Sequence, residues 1–327
     1  MINNTDKADR RPFYAAADFE PLVIACESRP GNGEDSYAAA VTDNAAFLGV
    51  FDGCGGSGAR SYPEYGGKTG AYIASRAAAE AAMNRFGEWE DRENPGIPPV
   101  DRLKNDIDEA LMQYRSESET HSMLRGSLSK EFPTTMAAEF ILPDPEDGNV
   151  LKVDFAWAGD SRCYVLTPAG LRQASTDDLS VTDAYRNLSE DAALLNVISA
   201  SHSYKINERK LKIRKPCILF TATDGCFGYL RTPMEFERML VGTLMEAKSV
   251  SEWKEYLTAE IGKVAGDDYT LCALAFGFER FENMQQLFRQ RFQFLQTEYP
   301  ATETAPEALE VMWNTYKESY QIKTPER

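Results

Sequence analysis

The sequence predicts an α+β protein whose strands and helices gather in separate layers. Three observations carry that expectation. Short apolar or β-branched runs bounded by Gly, Pro, Asn or Asp recur along the chain, as strands do. Other stretches place apolar residues at three-and-four spacing, the period of an amphipathic helix. The strand runs come in groups instead of alternating one by one with helices, which disfavours a parallel βαβ wind.

In chain order, strands are expected over Pro21 to Ser28, Tyr37 to Val41 and Ala45 to Phe51, followed by helices over Gly70 to Phe86 and Asp101 to Leu124. Trp89 to Val100, rich in charge and Pro, reads as the connection between those helices. Thr135 to Leu142, Leu151 to Ala158 and Cys163 to Leu166 read as a second group of strands. Ser175 to Lys215 is long, polar and aperiodic, the pattern of a mobile flap. A strand over Cys217 to Thr223 precedes helices over Pro233 to Met245 and Ser251 to Val264. Thr232 is the expected N-cap of the first, with Pro233 at N1, where its missing N–H costs nothing. Tyr269 to Phe278 reads as the last strand. Beyond it, Phe281, Met284, Phe288, Phe292 and Leu295 form one helical stripe, and Leu309, Met312, Trp313, Tyr316 and Tyr320 another. The change of pattern divides the chain into a body, residues 1–279, and a helical extension, residues 280–327, expected to pack on it.

Composition narrows the function. With 35 basic against 51 acidic residues and a formal net charge of −16, binding to a phosphate backbone by charge is disfavoured, so no nucleic acid partner is expected. The start, Met1 to Arg11, is polar, and no apolar run approaches the roughly 20 residues that span a bilayer. Six separated cysteines without a C-x-x-C pair argue against zinc and for thiols in a reducing cytoplasm.

The chemistry concentrates where apolar runs end in aspartate beside glycine: Phe51-Asp52-Gly53, Ala158-Gly159-Asp160 and Thr223-Asp224-Gly225, with Asp267-Asp268 opening the last strand. One Asp-Gly pair is an ordinary turn signal. Several carboxylates converging at strand ends repel one another unless cations neutralise them. Ligation by oxygen alone, without His or Cys, points to Mg²⁺ or Mn²⁺. Gly53 lacks a Cβ, so its carbonyl can approach an ion closely while Asp52 bridges a second. Two ions about 3.5–4 Å apart activate water and neutralise a phosphoryl group, the chemistry of phosphate-ester hydrolysis.

The order of these motifs resembles that of the metal-dependent protein phosphatases, the type 2C Ser/Thr phosphatase family, in its bacterial form. Gly33-Glu34-Asp35-Ser36 looks like the family's early Glu-Asp motif, and Asp52-Gly53-Cys54-Gly55-Gly56 like its central Asp-Gly-x-Gly-Gly. Pro133-Thr134-Thr135 resembles the Gly-Thr-Thr turn and Gly159-Asp160-Ser161-Arg162 the Gly-Asp-Ser-Arg strand end. Ser175-Thr176-Asp177-Asp178, Thr223-Asp224-Gly225 and Asp267-Asp268-Tyr269-Thr270 follow in the family's order. The resemblance covers roughly Pro21 to Phe278 and implies a four-layer αββα sandwich of two antiparallel sheets flanked by helices. It implies two ions held by Asp52, Gly53, Asp224 and Asp267, with Asp35 and Glu34 acting through water, Arg29 on the phosphate, and a phosphoprotein substrate supplied by a Ser/Thr kinase system. It places Asp160 at a third ion, whose second family ligand is here Gly228. Cys54 stands where the family often has a His proposed as general acid, and the family's Arg position is Pro30, one residue after Arg29.

Other readings compete. Cys54 and Arg60 match the C-x5-R spacing of cysteine phosphatases, but Asp52 would raise the thiol pKa. Gly66-Gly67-Lys68-Thr69 looks like the end of a P-loop, yet Tyr62 stands where its first Gly belongs; the alternative is a helix whose Ala71, Ala74 and Ala78 pack on a sheet. His121 and His202 lie in polar surroundings and are expected at the surface. From another class comes a catalytically weak pseudophosphatase that binds a phosphoprotein or kinase, motivated by Cys54, Gly228 and the displaced Arg29.

Overall fold

A computed structural model describes residues 20–90, 100–118, 130–190, 192–302 and 305–322. The chain begins with strands β1 (Leu22–Cys26), β2 (Ser36–Val41) and β3 (Ala46–Phe51). A single helical turn, α1 (Gly55–Gly58), and a small hairpin, β4 (Ser61–Tyr62) with β5 (Lys68–Thr69), lead into helices α2 (Gly70–Glu90) and α3 (Val100–Glu117). Strands β6 (Met136–Pro143), β7 (Val150–Ala158), β8 (Arg162–Thr167), β9 (Gly170–Gln173), β10 (Asn207–Arg214) and β11 (Cys217–Ala222) follow. The rest is α4 (Pro233–Glu246), α5 (Val250–Gly262), β12 (Tyr269–Phe276), α6 (Phe281–Glu298) and α7 (Pro306–Tyr320).

Two antiparallel sheets, β1-β12-β11-β8-β9 and β10-β7-β6-β3-β2, stack face to face. The period-two alternation of each strand feeds two cores at once. On β3, Ala46, Leu48 and Val50 point between the sheets, while Phe47 and Phe51 meet Ala74 and Ala78 of α2 on the outer side. Because both faces are covered, β3 is buried throughout and reads as a continuous apolar run. The other sheet is covered by the helices after β11: Phe236 and Leu240 of α4, Trp253 and Leu257 of α5, and Met284 and Phe288 of α6 share its outer core. The layers are therefore α, β, β, α. The Thr232 hydroxyl accepts from the Glu235 N–H at 3.2 Å with Pro233 at N1, the expected cap. Among the described residues, no helix is long and apolar enough to cross a membrane.

Besides the short hairpin of β4 and β5, two strands of the main sheets escape the periodicity reading. β9 is only four residues long. β10, Asn-Glu-Arg-Lys-Leu-Lys-Ile-Arg, carries two apolar side chains because it is a sheet edge paired only with β7; its charges keep that edge from recruiting another chain. The flap expected over Ser175 to Lys215 is corrected accordingly: its end is β10, and its start is tied down by Asp177 and Asp178, described below. Ser118 is no longer helical; the expected part of α3 beyond it, His121 and most of the Trp89 to Val100 connection lie outside the described residues.

One buried group belongs to neither core chemistry. Glu139, in the middle of β6, faces the space between the sheets, and burial raises its pKa well above the ordinary range against an opposing backbone hydrogen bond from Tyr164. Its surroundings include the buried thiols Cys163, Cys217 and Cys272. A buried acid there costs stability, so Glu139→Met is expected to stabilise the fold by about 1–3 kcal/mol at neutral pH. Thermal unfolding checks this; a lower melting temperature in the variant would mean that the carboxyl has a partner that matters.

Candidate active site

Strand register collects the motif residues at one end of the sandwich. Ser36 opens β2 opposite Phe51 at the end of β3, and Met136 opens β6 opposite Ala158 at the end of β7. In the other sheet, Ala222 ends β11 opposite Arg162 on β8 and Leu271 on β12. Asp35, Asp52, Asp160, Asp224 and Asp267 lie just past or just before these positions. Two glycines make the approach close enough. A Cβ on Gly53 would stand 2.6 Å from the Ala71 carbonyl oxygen and 2.8 Å from that of Glu34; on Gly225 it would stand 1.9 Å from the Asp268 carbonyl oxygen. No side chain fits at either place, which is why each aspartate is followed by glycine.

The carboxylates feel one another. Asp52 is pushed well above the usual carboxylate range by burial and by Asp224, Asp35, Asp160 and Asp267. Burial, then Asp224, raises Asp160 to about 8. Burial raises Asp35 to about 7 against the opposing hydrogen bond from Thr223 at 2.9 Å. Asp224 is raised by burial and by Asp267, and Glu34 by burial. The nearby cation, Arg162, is committed elsewhere: its guanidinium grips Asp177 through Nε at 3.0 Å and Nη2 at 2.6 Å. Acidic groups packed this way call for cations.

The backbone around them is fixed. The Asp52 carbonyl accepts from the Thr135 N–H and the Thr134 hydroxyl, both at 2.8 Å. Asp178 accepts from Gly159 N–H, Asn196 and Asn207, holding the turn before Asp160. Glu34 takes the Thr69 hydroxyl, and its other oxygen occupies the space that a side chain at Gly55 would fill. Arg29 is exposed on the turn that precedes Glu34, and its charge acts on Glu34.

Among the described residues no three Asp, Glu, His or Cys side chains stand at the spacing that holds one metal ion. The donor set nevertheless suits a hard cation, because Mg²⁺ keeps several waters and takes only one or two carboxylates from the protein. Gly228, its N–H 2.6 Å from the Asp224 carbonyl oxygen, contributes no carboxylate to a third ion beside Asp160.

The rival motifs dissolve in the structure. The Cys54 thiol is raised well above its ordinary pKa, first by burial and then by Asp52, and so stays protonated. Arg60 lies over the Tyr62 ring at 5.3 Å and forms no phosphate cradle. Lys68 opens a two-residue strand, and Ala71, Ala74 and Ala78 are fully buried on the face of α2. His202 is exposed and bonded to Ser201. Cys54→Ser is expected to keep turnover within about tenfold, since no thiolate is available to attack; loss of all activity would restore a cysteine mechanism.

Sequence reasoning missed Asp268. It is buried, and its two oxygens accept the backbone N–H groups of Ser28 and Glu34, each at 2.6 Å. The adjacent acidic pair was the only signal available, because the two partners lie more than 230 positions away in sequence.

A sequence pattern described as Protein phosphatase 2C matches residues 26–260. Among solved structures, the Staphylococcus aureus serine/threonine phosphatase Stp1 is 17% identical with a TM-score of 0.56, over 82% of this chain and 99% of that one. A C. elegans sex determining protein is 14% identical at 0.60, over 83% and 68%. The catalytic domain of the serine threonine protein phosphatase PstP, solved with two manganese ions, is 16% identical at 0.50, over 79% and 99%. At these identities the likeness concerns the fold; no curated protein sequence matches. The family pattern runs from the last residue of β1 into α5 and takes in every strand-end motif except Asp267-Asp268, so the chain belongs to the protein phosphatase 2C family.

Proposed function

We propose that the carboxylate end of the sandwich is where this chain, a metal-dependent protein serine/threonine phosphatase by family, hydrolyses phosphoserine and phosphothreonine. The observation that carries the reading is the set of aspartates gathered at the strand ends, where Asp224, Asp35, Asp160 and Asp267 add to burial in raising the pKa of Asp52, with the neighbouring Arg162 already taken by Asp177. Asp52, the Gly53 carbonyl, Asp224 and Asp267 would hold two divalent cations, with Asp35 and Glu34 around them and Asp160 at the flank. When bound, such a pair supplies a hydroxide nucleophile and neutralises the phosphoryl charge. Asp52 would be the central ligand; burial and then four other aspartates raise its pKa. The Thr134 and Thr135 donors to its carbonyl keep it aimed, and Arg29 meets the phosphate with the forked geometry suited to its oxygens. The two manganese ions of the PstP structure favour Mn²⁺, although Mg²⁺ accepts the same oxygens.

The substrates are phosphoproteins made by a Ser/Thr kinase in the same cytoplasm. Residues 1–279 form the catalytic unit and residues 280–327 its extension. No observation favours the pseudophosphatase reading. Release of inorganic phosphate from a phosphothreonine peptide tests the proposal: it should require Mn²⁺ or Mg²⁺ and stop with a chelator. Hydrolysis that persists in chelator, or none with either ion, would contradict it.

A further inference from the structure

The extension that the family pattern leaves out is joined to the carboxylate end through Asp177. This carboxylate is buried and accepts Arg162, Gln173 at 2.7 Å and Asn187 at 3.0 Å. Two of its supports are held by α7. Gln321, just past the helix, bridges to Gln173. Trp313 donates its indole N–H to Asp183 at 3.1 Å, and the other Asp183 oxygen caps the turn at Tyr185 and Arg186 that presents Asn187. Tyr320, at the end of α7, is buried beside Tyr164, whose hydroxyl accepts from Arg162 at 3.3 Å.

Arg162 sits where it can do harm. It is two residues past Asp160, pairs in register with Ala222 two residues before Asp224, and lies over the Phe227 ring at 4.1 Å. Its charge acts on both aspartates. A buried guanidinium that lost Asp177 would seek another carboxylate, and Asp160 and Asp224, which already feel its charge, are assigned to metal.

We propose that Asp177, clamped by α7, is a positioning residue that keeps Arg162 from occupying Asp160 and Asp224 in place of the metal ions. The inference rests on the metal-site reading above and gives the C-terminal helix a role in the site.

Calorimetric Mn²⁺ titration of the full chain is the test, with kcat and the half-saturating Mn²⁺ concentration for phosphopeptide hydrolysis measured alongside. Asp177→Asn should weaken Mn²⁺ binding about tenfold, with kcat at saturating Mn²⁺ within about threefold of the unmodified chain. Adding Arg162→Met should return the affinity to within about threefold, because the competitor is gone. A merely structural role predicts that the double variant is worse than the single one. Trp313→Phe, which keeps the ring and loses the N–H, should weaken Mn²⁺ about threefold and remains informative if the Asp177 variants do not fold. Unchanged affinity in Asp177→Asn or Trp313→Phe, or no recovery in the double variant, overturns the proposal. Failure of the phosphatase reading looks different: the unmodified chain would bind Mn²⁺ and leave phosphopeptide intact, while these affinities still report on Arg162.

Discussion

Asp52→Ala should lower kcat/KM for a phosphothreonine peptide by at least about 10³, because a dinuclear site that loses its shared ligand loses both the nucleophile and the charge that stabilises the phosphoryl group in flight. Stability should move the other way. Four aspartates and burial raise Asp52 in the metal-free protein, so removing it relieves repulsion, and the variant should melt no lower than the unmodified chain when both are stripped of metal. The sign follows from linkage. A carboxylate whose folded pKa is raised withdraws stability as pH climbs from its unfolded value toward the folded one, so the relief should be larger at pH 8 than at pH 5. Steady-state kinetics paired with thermal unfolding in chelator reads both effects. A folded Asp52→Ala protein with full activity would remove the two-ion account.

Asp268→Ala should cost about 10² in kcat/KM although Asp268 need touch no ion, since small misplacements of supporting groups are amplified in a preorganised site. Its carboxylate fastens the segment carrying Arg29, Glu34 and Asp35 to the start of β12 by accepting the Ser28 and Glu34 N–H groups. Without it both donors are left unpaired and the segment is free to shift, at a cost of about 1.5–3 kcal/mol for each bond to a charged acceptor. Asp268→Asn keeps one acceptor oxygen and should fall between the unmodified chain and alanine. Equal activity in Asp268→Ala would show that this fastening does not set the site.

Much of the site was legible because one local constraint writes itself into sequence. A strand that must end in a carboxylate with another backbone pressed against it ends in Asp-Gly, as at Gly53 and Gly225, and such endings can be read without a structure. The αββα layers followed from the resemblance, and the structure bears them out. The C-terminal stripes proved to be packed helices, with Phe288, Leu295, Trp313 and Tyr316 buried. What stayed hidden depended on partners distant in sequence or on the absence of a pattern. β10 lacks an apolar rhythm because an edge strand needs charge more than grease. Asp268 and Asp177 show no partners in the sequence, because only the fold brings Ser28, Glu34 and Arg162 to them. Cys54 lies between: its acidic neighbour was visible in sequence, but burial, the larger cause of its raised pKa, was not.

The strand-end aspartates are expected to form a two-ion site. Calorimetric titration of the chelator-treated chain with Mn²⁺, repeated on Asp224→Asn, measures it most directly. The account predicts two bound ions per chain, with at least one lost or much weakened in Asp224→Asn. A chain that takes up no Mn²⁺, or an Asp224→Asn protein that binds the same two ions as tightly, would contradict it.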